Sequence, residues 1–143
     1  MRTLKTKINN FIKDNDLKCY KSNDNTGNYY SILMPYRNEN NIRKTIFINV
    51  YNDLNLLKIG FHAQVNQDNS EKVMEKILDK DNRLILGKLS LDEDQNAITF
   101  SIDWIVNDNE EISKKFYDRY ISFSLNVYQN LLEEGLVWAK EES

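Results

Sequence analysis

LILGKLSLDEDQNAITFSIDWIV, Leu84 to Val106, is the stretch that decides the fold. Its two halves alternate apolar and polar residues on either side of the acidic run Asp92-Glu93-Asp94-Gln95-Asn96, which reads as a hairpin. Ile85, Gly87, Leu89 and Leu91 fall on one face, with Lys88 and Ser90 on the other. The return strand places Ile98, Phe100, Ile102 and Trp104 against Thr99, Ser101 and Asp103. If Leu91 pairs with Ile98, then Leu89 meets Phe100, Gly87 meets Ile102 and Ile85 meets Trp104. All the apolar groups then face one way, and a slip of one residue would turn a strand inside out. Such a sheet has one dry face, and the long helix that follows is expected to cover it.

That helix is expected from about Asn109 to Glu134, with Asp108 and Glu111 as a capping pair and Gly135 as its left-handed stop. At about 100° per residue, Ile112, Phe116, Tyr120, Phe123, Val127 and Leu131 form one apolar arc, which is expected to cover the sheet. Tyr117, Ile121, Leu125, Tyr128 and Leu132 form a second, so the apolar surface spans roughly 220°, about twice what a helix on a sheet needs. Either another helix covers the second arc or part of it is an interface. Tyr117, Ile121, Tyr128 and Leu132 are therefore candidate partner-binding residues, joined by Trp138 in the tail Leu136-Val137-Trp138.

Upstream, Leu4, Ile8, Phe11 and Ile12 share a face at helical spacing, which predicts a helix over 3–14. Leu17 to Ser22 reads as a strand, followed by a turn from Asn23 to Asn28. Strands follow over Tyr29 to Tyr36, over 43–51 and over Leu56 to Val65. Pro35 lacks an amide donor and should mark an edge or the end of pairing. Asp68 and Glu71 start a helix whose buried face is Val73, Met74, Ile77 and Leu78, and Asp81-Asn82 closes it. The order predicts an α+β fold, α-β-β-β(-β)-α-β-β-α, with an antiparallel sheet and helices packed on one face. Residues 1–143 read as a single domain ending in a short tail, 136–143.

The totals narrow the function. A net charge of -3 over 143 residues and a pI near 5.2 do not suit a nucleic-acid binder, since Lys and Arg are scattered among acids. No apolar run approaches the ~20 residues of a membrane helix, and the N-terminus has charge but no apolar signal core. With one cysteine, Cys19, no internal disulfide forms, so a reducing, cytoplasmic setting is expected. Cys19 reads as a small buried hydrophobe.

His62, the only histidine, reads as an ordinary strand residue. One His and one Cys do not make a zinc site. Asp92, Asp94, Asn96 and Asp103 sit at the first, third, fifth and twelfth positions of an EF-hand-like loop. Position six, however, is Ala97 where Gly is required, and strands flank the loop. The same Asp residues could serve as acids or bases only if a cleft gathered them. No nucleophile elbow or phosphate loop is present, so no enzyme, cofactor or metal is expected.

The stretch Lys76 to Trp104, KILDKDNRLILGKLSLDEDQNAITFSIDW, resembles the signature region of the YbjN-like family of bacterial sensory transduction regulators. A helix ends in an Asn-containing turn, Asp81-Asn82. A Gly-Lys-bearing strand follows, Leu86-Gly87-Lys88-Leu89, then an acidic hairpin and an acid-capped last helix. The Asn-rich loops and the tail after Gly135 depart from the pattern. The resemblance implies the fold of type III secretion chaperones, acidic proteins that are often homodimers and hold an unfolded partner segment. It carries over no catalytic residues. The expectation is thus a non-catalytic protein-binding module, a chaperone-like adaptor or regulator and possible homodimer. The alternative is an antagonist or immunity-type protein that inhibits a folded enzyme or toxin.

Overall fold

The computed structural model describes residues 2–21, 28–66, 70–92 and 96–138. Along the chain lie α1 (Leu4–Asp14), β1 (Tyr20–Lys21), β2 (Tyr29–Arg37), β3 (Arg43–Tyr51), a 3-10 turn (Asn52–Leu54) and β4 (Leu56–Gln64). They are followed by α2 (Ser70–Arg83), β5 (Lys88–Asp92), β6 (Ala97–Ile105) and α3 (Lys114–Glu133). The strands form one six-stranded sheet, β1-β2-β3-β4-β6-β5, antiparallel throughout. The α+β order and the antiparallel sheet are those the sequence predicts.

Alternation sorts the sheet into two faces. Tyr30, Ile32 and Met34 of β2, Ile46, Ile48 and Val50 of β3, and Leu57, Ile59, Phe61 and Ala63 of β4 are buried together. Leu89 of β5 and Ile98, Phe100, Ile102 and Trp104 of β6 complete that face. Leu4, Ile8, Phe11 and Ile12 of α1, Val73 and Ile77 of α2, and Tyr117, Ile121, Leu125 and Tyr128 of α3 close over it. The opposite face carries Ser31, Asn49, Lys58, Thr99 and Asp103, all at least partly exposed. Phe47 lies on that outer face yet is buried. It pairs across the ladder with Gly60, and its ring stacks on the His62 imidazole at 4.7 Å.

The edges are blunted. β1 is two residues long and pairs with Ile32 and Leu33, stopping short of Pro35. At the other edge, the amide of Leu89 donates to Asp81 Oδ1 at 2.8 Å, so the last turn of α2 takes up an outward-pointing donor of β5.

Several expectations need correction. Leu91 pairs with Ile98 and Leu89 with Phe100 as expected, but the ladder begins at Lys88 with Ser101. Gly87 takes a positive φ of 85° and ends the pairing. A Cβ there would stand 2.7 Å from the Phe100 ring. Ile85 consequently leaves the sheet altogether and is 97% exposed. The first expected strand shrinks to Tyr20–Lys21. Leu78 is exposed, because α2 meets the core through the narrower pair Val73 and Ile77. The Asp68 cap and the turn residues Glu93, Asp94 and Gln95 lie outside the described residues.

The last helix starts at Lys114, not near Asn109. Ser113 is its cap, and its hydroxyl accepts from the Phe116 amide. The segment before it is tied down as a loop. Lys7 is buried and donates to the carbonyls of Asn107 and Asp108 at 3.0 and 2.9 Å. The Asp108 carboxylate accepts from Asn55, so it is engaged away from the helix end. At the far end Gly135, with φ of 70°, closes a Schellman turn: its amide reaches the Leu132 carbonyl and that of Leu136 reaches Leu131. The chain then returns to β4, with Val137 bridging Val65 and the Trp138 amide donating to the Gln64 carbonyl.

Candidate functional site

The structure divides the five candidate partner-binding residues. Tyr117, Ile121 and Tyr128 are buried, so they offer no outer surface. The Tyr117 hydroxyl donates to the Met34 sulfur at 3.0 Å, and its ring lies 4.8 Å from that of Phe11 in α1. Tyr128 meets Phe61 edge-on at 5.3 Å, and the Lys44 ammonium sits 4.7 Å from its ring centroid. Leu132 is half-buried against the core, and Trp138 is 40% exposed. The arc expected to be surplus is therefore the one that packs on the sheet.

The surplus lies at the front of the other arc. Val127 and Leu131 are buried, Tyr120 and Phe123 are half-buried, and Phe116 is 47% exposed. These residues face the α2–β5 connection, where Leu86 is 40% exposed. Between them runs an open groove of about 630 Å³, lined by Leu86, Phe116, Asp118, Arg119, Tyr120, Ser122, Phe123 and Asn126. Its walls are fixed from beneath. Tyr120 packs on Trp104 of β6 at 5.0 Å and Phe123 on Phe100 at 5.9 Å. Gly87 seats its backbone on that same Phe100 ring, which carries Leu86 to the rim and throws Ile85 into solvent. An apolar concavity with a few polar groups at its edge is the usual form of a binding site.

A second cleft, of about 440 Å³, lies on the other flank of α3 between Ile121, Leu125 and the β2 end, Tyr36 to Glu39. Asp118, Ser122 and Asn126 border both clefts. Behind the second cleft the Tyr36 and Tyr117 hydroxyls and Met34 Sδ form a triangle of contacts, in which the two phenolic protons make two hydrogen bonds at a time. Burial drives the pKa of Tyr117 upward, helped by Tyr36, Asp118 and Cys19. Burial also raises that of Tyr36, against the opposing pull of its bond to Tyr117. Both therefore keep their protons, and the pair braces the packing.

The remaining residues singled out in the sequence do not converge. His62 is exposed on the outer sheet face, with Nδ1 2.9 Å from Thr99 Oγ1. Its pKa is lowered by burial of the ring and by the Lys44 charge. Cys19 is a half-buried free thiol packed against the core. Asp103 sits 3.5 Å from Lys58 across the ladder. Asp94, the middle ligand of the calcium reading, lies outside the described residues. Among the described residues no group of three or more His, Cys, Asp and Glu side chains is placed to hold a metal ion. No described helix is long and apolar enough to cross a membrane.

Compared with models of known protein families, with curated proteins and with solved structures, the chain shows no match.

Proposed function

We propose that this chain is a cytoplasmic, non-catalytic protein-binding module, a chaperone-like adaptor or regulator that docks a partner in the outer groove of α3. The observation that carries the reading is the apolar groove itself. Phe116, Tyr120, Phe123 and Leu86 line one concavity, with fully projecting Ile85 beside it. Isolated apolar groups on a surface are ordinary, but a contiguous set in a groove with aromatic walls is how protein partners are held. The resemblance of the Lys76–Trp104 stretch to the YbjN-like family, and so to chaperone-like folds, agrees with this reading.

A photo-crosslinking residue tests it. Placed at Phe116, it should capture one partner in cells, whereas the same residue at Lys58 on the outer sheet face should not. Phe116→Asp should abolish co-purification of that partner while circular dichroism and melting temperature stay near those of the parent. Equal capture from both positions, or co-purification unaffected by Phe116→Asp, would overturn the reading.

A further inference from the structure

We infer that the occupant of the α3 groove is an acidic amphipathic helix of another protein. This rests on the docking reading above and adds the partner's chemistry. The chain is acidic, at net charge -3, yet the rim of its groove is not. By helical spacing Lys115, Arg119, Ser122 and Asn126 form the outermost ridge of α3. Lys115 and Arg119 are exposed on that ridge, and Arg119 lines the groove.

The one acid among the lining residues, Asp118, is already matched to Lys114 at 2.7 Å, one turn back. Among the described residues Lys115 and Arg119 make no ion pair. The groove thus presents an apolar wall of Phe116, Tyr120 and Phe123 beside two uncompensated cations spaced one turn apart.

A complementary segment places apolar side chains against that wall and carboxylates one turn apart beside them. The lining runs from Phe116 to Asn126, which on a helix is about 15 Å or three turns. A partner helix of that length with apolar residues at i, i+3, i+4 and i+7 fills it in the helix-in-groove manner. Carboxylates at the rim steer the encounter and set its orientation more than they add affinity.

Fluorescence anisotropy on the full chain decides the matter. The probes are three labelled synthetic peptides: a three-turn amphipathic helix with Leu on one face and Glu on its flanks, a twin with Lys for Glu, and a scrambled acidic peptide. The acidic helix should bind about tenfold more tightly than its basic twin, with the preference shrinking as salt rises. The double variant K115E/R119E should reverse the preference, and Phe116→Asp should remove binding of both helices.

Equal or stronger binding of the basic twin, still lost in Phe116→Asp, would overturn the acidic partner and leave the groove as a docking surface. Equal binding of the scrambled peptide would reduce the effect to bulk charge and overturn the helix. A doubled mass in light scattering that Phe116→Asp returns to one chain would put a second copy in the groove, overturning a heterologous partner. Absence of binding by every peptide would also overturn the inference, whereas the docking reading stands or falls on the crosslinking at Phe116.

Discussion

Gly60 and Gly135 isolate two different reasons for a missing side chain. At Gly60 the strands approach so closely that a Cβ would overlap the Phe100 carbonyl oxygen, and across the other ladder Gly60 pairs with Phe47. Gly60→Ala must push β4 from β6 in the middle of the sheet, and a loss of about 3 kcal/mol or more is expected. At Gly135 nothing lies within 4 Å of a Cβ, but φ is 70°. Gly135→Ala therefore carries only the left-handed backbone penalty, about 1 kcal/mol. Urea denaturation of both variants checks the ordering; equal losses would mean that one of these two causes is misassigned.

At the level of the element, α3 shows what a sequence can and cannot say. Its termination was legible, because a glycine after an apolar run has one common use. Its start was not. Asp108 and Glu111 imitate a capping pair, but Lys7 and Asn55, far away in sequence, recruit Asp108 into a loop and leave the helix to Ser113. Removing that hydroxyl in Ser113→Ala should cost about 1 kcal/mol, whereas Asp108→Ala should leave helix content unchanged by circular dichroism.

The rotation of α3 also differs from the expected one, since two adjacent apolar arcs are both long enough to cover a sheet. The polar positions hold the missing information. Lys115, Ser122 and Glu133 lie at nearly one azimuth, and the direction opposite them is that of Tyr117, Ser124 and Tyr128, all buried. Finding the centre of the polar arc locates the core more surely than counting apolar residues. The places of Leu86 in the groove and of Ile85 beside it are hidden from the sequence for another reason. Alternation continues past Gly87 on paper, and only the packed Phe100 ring explains why the strand stops there.

For the whole molecule, the tyrosines set a pH limit. Burial, with a contribution from Cys19, moves the Tyr30 pKa from 10.0 to about 12. Tyr36 and Tyr117 are raised as well. A raised pKa means the native state resists a deprotonation that the unfolded chain undergoes near pH 10. Stability from these groups is thus fully present below pH 10 and lost as pH rises above it. Chemical denaturation between pH 9 and 12 should show a falling midpoint, with Tyr30→Phe flattening the part that ends near 12. A midpoint constant over that range would contradict the buried, protonated state of these phenols.

The strand order has a mechanical corollary. β6 is inserted between β4 and β5, so Leu86 and Ile85 hang from the outermost, five-residue strand, while Tyr120 and Phe123 rest on β6 inside the sheet. One bank of the channel rests on an interior strand, and the other hangs from the edge strand through Gly87, whose backbone is seated against the Phe100 ring. A methyl group added by Gly87→Ala, standing 2.7 Å from that ring, should therefore displace the outer bank and spoil the channel while α3 stays in place.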